Sequence, residues 1–191
     1  MKTIIPSGVL GGLALFVWSF IAHLPPIGTA GERTVLPEQG DVLLRTMTGV
    51  LRERAIYVLP GMGEDKQAWL ARFEQGPAAI VAYNPRPAEQ AVGGRPFATW
   101  ILIELATAIL SGLLGAIVAT SLARTLGYWS RVLVLASIGL IATIDIDASY
   151  WNWFAFPTSF LFAQLVDHVG GWFVAGLVMA WITRADGPAR S

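Results

Sequence analysis

Four long apolar blocks dominate this sequence, and they constrain its fold more than any other feature. They cover residues 4–24, 97–122, 132–148 and 158–183. An α-helix crosses the hydrocarbon core of a bilayer with about 20 apolar residues, and in lipid only helices and closed barrels satisfy their own backbone hydrogen bonds. The sequence therefore predicts a mainly α fold, a four-helix transmembrane bundle.

Composition supports a membrane location. Of the 191 residues, 54% are hydrophobic and 14% are charged. Soluble domains contain about 25% charged residues, so this chain has too little polar surface for a water-soluble globule. The formal net charge is zero, and nothing resembles the basic patch that binds nucleic acid through its phosphates. We expect the lipid bilayer to surround the chain, and we expect no nucleic-acid partner.

The domain organisation follows from the positions of the blocks. We predict transmembrane helix 1 in residues 1–24, a water-exposed segment in residues 25–96, and transmembrane helices 2–4 with a C-terminal tail in residues 97–191. The first block is also compatible with a cleaved signal peptide. Its apolar stretch exceeds the length usual for a signal core, about 7–15 residues, so we expect it to be retained as an anchor.

The segment 25–96 alternates between helical and strand patterns. Apolar spacing predicts helices over residues 41–54 and 64–75, and short apolar runs predict strands over residues 55–59 and 78–83. This order predicts a small cap of α+β or βαβ type, inserted between transmembrane helices 1 and 2. A linker rich in proline and glycine follows it.

Positive charges flank one side of the predicted bundle. Cytoplasmic loops are enriched in Lys and Arg, and such residues precede span one, separate spans two and three, and follow span four: Lys2, Arg124, Arg131, Arg184 and Arg190. We therefore expect a bacterial inner (cytoplasmic) membrane location, with both termini cytoplasmic and residues 25–96 extracytoplasmic. Aromatic side chains favour headgroup depth, which makes Trp129, Trp151 and Trp153 the predicted interface anchors.

Small residues recur along three of the spans. Lipid supplies no hydrophobic force between helices, so their association depends on close packing of small residues and on interhelical hydrogen bonds. The candidate helix-packing residues are Gly8, Gly12, Gly112, Gly115, Gly171 and Gly176. Their recurrence predicts a tight bundle, or a bundle that also self-associates.

Polar residues within the spans form the candidate functional site. Ionisable groups are costly in lipid and commonly face protein or water; with one amide among them, the set is His23, Glu104, Asp145, Asp147, Gln164, Asp167 and His168. At 1.5 Å rise per residue, Glu104 lies about 10 Å and Asp167 about 13 Å from the outer end of its span. The set therefore falls in the outer half of the membrane. Because Asp145 and Asp147 are about 200° apart around a helix, we expect Asp147 to face inward and leave the direction of Asp145 open.

Three interpretations of this polar set remain open. It can be a structural hydrogen-bond network near the outer interface. It can also be a proton or cation pathway in which the carboxylates and His168 exchange protons or hold a cation. His168 is, third, a candidate axial ligand for haem or another pigment, although His23 is too shallow to share one metal with it. Metal binding here stays unknown, and the sequence predicts no cofactor.

Signatures of catalysis do not occur in the sequence. The chain has no cysteine, which excludes disulfides, thiolate metal sites and cysteine nucleophiles. No nucleophile elbow, metalloprotease helix or glycine-rich phosphate loop is present. Gly61-Met62-Gly63 is typical of a turn. We therefore predict that the protein is not an enzyme.

A family resemblance rests on one aromatic run and several shorter patterns. These are Trp151-Asn152-Trp153-Phe154-Ala155-Phe156-Pro157, then Asp167 and Gly171-Trp172, together with Ile56-Tyr57-Val58-Leu59-Pro60 and the helix end from Trp69 to Gly76. In these the chain resembles a family of uncharacterised bacterial membrane proteins with the same four-span layout. The resemblance covers most of the chain and implies the architecture, but no activity, cofactor or functional residue.

The small-residue stripes, and a cap too small for an extensive core, lead to a functional prediction. We expect a non-catalytic scaffold or accessory subunit that binds other membrane protein subunits or its own copies. The alternative is a proton or cation transporter or channel component that uses the outer-leaflet carboxylate and histidine cluster.

Overall fold

The computed structural model describes residues 3–85 and 96–183. Four of its helical stretches are long and apolar enough to cross a membrane: Ile4–Ala22, Phe97–Ser121, Tyr128–Phe154 and Thr158–Ile182. The prediction of a mainly helical, multi-pass membrane protein is confirmed.

The elements follow one another with short connections in the second half of the chain. In order they are α1 (Ile4–Ala22), α2 (Pro37–Val50), β1 (Ala55–Leu59), α3 (Lys66–Gln75), β2 (Ala79–Tyr83), α4 (Phe97–Ser121), α5 (Tyr128–Ala142), a π-helical turn (Thr143–Asp147), α6 (Ala148–Phe154) and α7 (Thr158–Ile182). They group into a helical unit, Met1–Arg33 with Ala98–Ser191, and an α+β unit, Thr34–Phe97.

The turn after α1 belongs to the helical unit. Gly31 has φ of 87°, a conformation that glycine adopts without steric cost, and a Cβ there would come within 2.9 Å of the Cβ of Phe160. The chain after α1 therefore lies against the start of α7. The α+β unit begins at Thr34, later than the predicted start at residue 25.

Within the helical unit, α7 packs against both α1 and α5, and α4 crosses α1 at very short range. A Cβ on Gly12 would lie 2.5 Å from the Cα of Ile109, and a Cβ on Gly112 would lie 2.5 Å from the backbone nitrogen of Gly12. On the other side of α7, a Cβ on Gly176 would lie 3.2 Å from the carbonyl oxygen of Val132. Small residues allow such close backbone contact in lipid.

The third span is longer than its predicted extent of residues 132–148. It runs over Tyr128–Phe154 and ends where Ala155 adopts a left-handed conformation with φ of 54°. No proline interrupts the chain until Pro157, so the helix continues past residue 148 and includes the predicted anchors Trp151 and Trp153.

The α+β unit contains one two-stranded sheet in the part of it that is described. β1 and β2 pair antiparallel, from Ala55 opposite Tyr83 to Leu59 opposite Ala79, so the connection through α3 is not a βαβ crossover. Asp65 is the N-cap residue of α3, and its Oδ1 accepts hydrogen bonds from the backbone nitrogens of Gln67 and Ala68 at 2.9 and 3.1 Å. Such a cap satisfies free N–H groups at a helix start.

α2 occupies Pro37–Val50 and not residues 41–54 as predicted. Proline at the first helical position is favourable because its φ suits a helix and its missing N–H would have no partner there. At the other end, Leu51 is extended with ψ of 127°, which stops the helix before the charged residues that follow.

Candidate functional site

A polar cleft opens between α1, α4 and α7, near the C-terminal end of α1 and the N-terminal halves of α4 and α7. Its volume is about 380 Å³. The lining residues are Leu15, Phe16, Ser19, His23, Glu104, Ala108, Ser111, Gln164, Asp167, His168, Gly171 and Trp172. The cleft thus combines carboxylate, imidazole, amide and hydroxyl groups with apolar and aromatic walls.

Five members of the predicted polar set line this cleft: His23, Glu104, Gln164, Asp167 and His168. Asp147 is buried and Asp145 is exposed, and neither of the two lines the cleft. The expectation that Asp147 faces inward agrees with its burial. Asp145 points away from the bundle interior.

The sequence spacing of α7 explains why its polar side chains meet at the cleft. Gln164, Asp167, His168 and Gly171 recur at three- and four-residue intervals and therefore share one helix face. The indole Nε1 of Trp18 on α1 donates a hydrogen bond of 3.0 Å to the backbone carbonyl oxygen of Asp167. This bond fixes α1 against α7 at the level of the carboxylate.

Two side chains of the third span contact the imidazole of His168. Its Nδ1 lies 3.1 Å from Oδ2 of Asp147 and 3.3 Å from Oγ1 of Thr143. The side chain of Asp147 is 7% exposed and that of His168 is 31% exposed. A buried carboxylate is therefore paired with a histidine at the cleft wall.

The protonation of a neutral His168 depends on these contacts. The Thr143 hydroxyl also donates a hydrogen bond of 3.1 Å to the carbonyl oxygen of Gly139. Oδ2 of Asp147 lies close to Nδ1 of His168 but has no hydrogen-bond partner among the described residues. A neutral imidazole with its proton on Nδ1 keeps its lone pair on Nε2.

The π-helical turn places Thr143 and Asp147 beside α7. Both residues are buried there, and π-helical turns within helices often occur at functional sites. One turn earlier, Gly139 allows close approach, since a Cβ on it would lie 2.8 Å from the backbone nitrogen of Val169. The third and fourth spans therefore come into close contact at Gly139, which has no side chain, and at the π-helical turn.

Small residues close the cleft on the side of the α4–α5 connection. Ala116, Ala119 and Met179 are at most 1% exposed and belong to one buried apolar cluster. A Cβ on Gly115 would lie 2.6 Å from the ring of Trp172 and 3.2 Å from the sulfur of Met179. This packing fills the bundle below the polar groups.

The structure also places the remaining candidate glycines and tryptophans. Gly8 and Gly12 lie against α4, whereas Gly171 lies near Trp18 and Leu15 of α1. All three predicted anchors are exposed; their exposed fractions are 62% for Trp129, 44% for Trp151 and 75% for Trp153. Exposed indoles at the ends of spans are what an interfacial anchor requires.

Sequence reasoning missed the aromatic and hydroxyl side chains of the cleft, chiefly Phe16, Ser19 and Trp172, and also Trp18, whose indole bonds the backbone of Asp167. Trp172 offered a signal, because it lies in the middle of the fourth span, away from the headgroup depth that tryptophan favours. Trp18 and Phe16 gave no comparable signal. Their proximity to α7 depends on how α1 and α7 pack.

Arg131 also has a structural role that the sequence did not reveal. It is 4% exposed, and its guanidinium donates hydrogen bonds to the carbonyl oxygens of Thr183 and Ala180, both at 3.0 Å, and to Oγ1 of Thr183 at 2.8 Å. These carbonyls lie at the C-terminal end of α7, where a cation is favourable. Arg131 therefore fastens α5 to the last turn of α7.

Metal coordination finds no support in residues 3–85 and 96–183, where no group of three or more His, Cys, Asp or Glu side chains is arranged to hold a metal ion. Haem coordination by His168 stays a prediction. A visible absorption spectrum of the purified protein tests it directly.

Comparison of the chain with protein-family models, with curated proteins and with solved structures finds no match. The resemblance to a family of bacterial four-span membrane proteins therefore also stays a prediction.

Proposed function

We propose that this protein is a non-catalytic accessory or scaffold subunit that associates with another membrane component through its α+β unit. The observation that carries this proposal is the exposed apolar surface of that unit. None of the residues of α2 and α3, all of them described, is buried. A folded segment that leaves its apolar residues uncovered is suited to bind a partner.

The apolar side chains concerned are large and numerous. On α2, Leu43 is 47% exposed and Val50 is 72% exposed, and on the sheet Ile56 is 72% exposed. Among the described residues of Thr34–Phe97, Tyr83 is the single buried hydrophobic residue. Burial of one such side chain is worth about 1.5–3 kcal/mol, so covering several of them against a partner favours association strongly.

Orientation forms part of the same proposal. We place the protein in a bacterial cytoplasmic membrane with both termini in the cytoplasm and the α+β unit outside. The support is the distribution of Lys2, Arg124, Arg184 and Arg190 under the positive-inside rule. Arg131 counts less as support, because its hydrogen bonds to α7 already explain its presence.

Cross-linking in native membranes, followed by purification in a mild detergent, tests the association. We expect a cross-linked species larger than the monomer, either a copy of this chain or a second membrane protein. The double variant Leu43→Gln/Val50→Gln should reduce its yield at least about tenfold, given the burial energy of two apolar side chains. A monomer alone, with no cross-linked species from the unmodified protein, would overturn the proposal.

Arg45→Gln is the matched control for that experiment. Arg45 is exposed on α2, two positions after Leu43, and therefore points away from the face that Leu43 and Val50 share. Its substitution introduces the same amide and should leave the cross-linked yield unchanged. Equal loss in the control would show a non-specific effect on α2 and would count against the proposed face.

Proton or cation transport is the second candidate, and one contact favours it: the ion pair of Asp147 and His168 next to the cleft. Chains of carboxylates and histidines commonly relay protons in membrane proteins. Reconstituted liposomes test it. If the unmodified protein, Glu104→Gln and Asp167→Asn all leave the flux at the level of empty liposomes, transport is excluded. The closed packing below the cleft makes it the weaker candidate.

A further inference from the structure

The polar cleft has the size of a small-molecule site. Its volume of about 380 Å³ lies within the range of typical ligand pockets, about 300–1,000 Å³. The lining residues come from α1, α4 and α7 of the helical unit. The cleft lining therefore includes no residue of the α+β unit, on which the proposed accessory function depends.

Two carboxylates line this cleft, Glu104 on α4 and Asp167 on α7. Neither side chain forms a direct hydrogen bond or ion pair within residues 3–85 and 96–183. The lining contains neither lysine nor arginine, and His23 and His168 are its groups that can carry a positive charge. A carboxylate at membrane depth is costly, and a bound cation would offset part of that cost.

His168 adds a further polar group to the lining. Asp147 and Thr143 lie against its Nδ1, at 3.1 and 3.3 Å. A neutral imidazole with its proton on Nδ1 offers the lone pair of Nε2 as an acceptor. A primary ammonium group has three N–H donors, which matches the acceptors of Glu104, Asp167 and His168.

The rest of the lining is aromatic or apolar and suits the hydrocarbon part of an organic ligand. Phe16 and Trp172 contribute aromatic rings, and Leu15, Ala108 and Gly171 contribute apolar surface. Aromatic faces attract cations. A bare metal ion fits less well, since the described residues offer no group of three ligands.

We propose that the cleft binds a protonated amine carried on a small apolar body. This inference goes beyond the accessory function and is independent of it. Glu104 is exposed, so the cleft is open at that carboxylate. The amine can therefore come from a free organic amine or from the amine headgroup of a lipid.

Binding of benzylammonium to the purified full-length protein in uncharged maltoside micelles is the first test, with benzyl alcohol as its neutral counterpart. We expect saturable binding of benzylammonium, measured by calorimetry, and at least about tenfold weaker binding of the alcohol. That ratio follows from hydrogen bonds to charged groups, worth about 1.5–3 kcal/mol each. The comparison uses the unmodified chain and needs no variant to fold.

Substitutions then assign the site. Glu104→Gln and Asp167→Asn should each weaken benzylammonium binding at least about tenfold, since each removes a charged acceptor. Asp145→Asn is the matched control, because Asp145 lies at a similar depth but is exposed and does not line the cleft. Its affinity should equal that of the unmodified protein.

A comparison of two lipids identifies the source of the amine. Native mass spectrometry compares retention of phosphatidylethanolamine and phosphatidylglycerol with the same acyl chains. Selective retention of phosphatidylethanolamine, lost in Asp167→Asn but kept in Asp145→Asn, supports a lipid headgroup. Benzylammonium binding without lipid selectivity supports a free amine. The proposal is overturned if neither benzylammonium nor phosphatidylethanolamine binds, or if Asp145→Asn reduces binding as much as Asp167→Asn does. These measurements do not involve α2, so failure of the cross-linking test of the accessory function would leave them unaffected.

Discussion

Nδ1 of His168 and Oδ2 of Asp147 lie 3.1 Å apart, and this contact joins the fourth span to the π-helical turn of the third. The carboxylate is nearly inaccessible, whereas the imidazole reaches the cleft wall. One pair therefore connects the packing of the bundle to the chemistry of its polar site.

Breaking this pair should destabilise the fold. We expect His168→Leu to lower the free energy of unfolding by about 3 kcal/mol, because it leaves a buried carboxylate without its partner. Reversible unfolding in mixed micelles, followed by circular dichroism, measures the change.

The double variant His168→Leu/Asp147→Leu should recover most of that loss, because well-packed apolar side chains can replace a buried ion pair. Asp145→Asn, at an exposed position, should change the free energy of unfolding by no more than about 0.5 kcal/mol. If the loss of unfolding free energy in the double variant equals the sum of the losses in His168→Leu and Asp147→Leu, the two side chains are not coupled.

The crossing of α1 and α4 should not tolerate a side chain at Gly12. A Cβ there meets the backbone of Ile109 and of Ala108, at 2.5 and 2.7 Å, so Gly12→Ala must push the helices apart. We expect a loss of about 1–3 kcal/mol in unfolding free energy. Gly127→Ala is the control, since nothing lies within 4 Å of its added Cβ; similar losses in both variants would contradict this account.

Arg131 should not be replaceable by lysine. Its guanidinium bonds three oxygen atoms of Ala180 and Thr183, and a lysine ammonium cannot reproduce that planar arrangement. We expect Arg131→Lys to cost about 1.5–3 kcal/mol and to raise hydrogen exchange in the last turn of α7. Arg124→Lys, at an exposed position, should leave both quantities unchanged; unaltered exchange in Arg131→Lys would rule out the fastening role.

The proposed orientation predicts opposite labelling of two single-cysteine variants. The chain contains no cysteine, so Gly63→Cys and Thr125→Cys each introduce a unique thiol at an exposed position. In intact spheroplasts a membrane-impermeant maleimide should label Gly63→Cys at once and Thr125→Cys only after permeabilisation. The reverse labelling pattern would show that the topology is opposite to the one proposed.

Residue counting and helical phase led to part of the candidate site. Glu104 and Asp167 were assigned to the same membrane half by counting residues, and Asp147 was expected to face inward; the structure brings Glu104 and Asp167 to one cleft and buries Asp147. The apolar pattern did not predict the ends of the third span and of α2 correctly. A helix end depends on local backbone conformation and on neighbouring contacts as well as on apolar spacing.

The sequence by itself determined the four membrane-spanning helices, because the length and hydropathy of each block are local properties that lipid selects directly. Only the tertiary structure decided which polar residues share a cleft, that Asp147 lies behind His168, and that Arg131 is buried against α7. These contacts depend on how the helices are rotated and paired. Rotation and pairing follow from the close packing of glycines such as Gly12 and Gly139 with distant parts of the chain, and no local pattern contains that information.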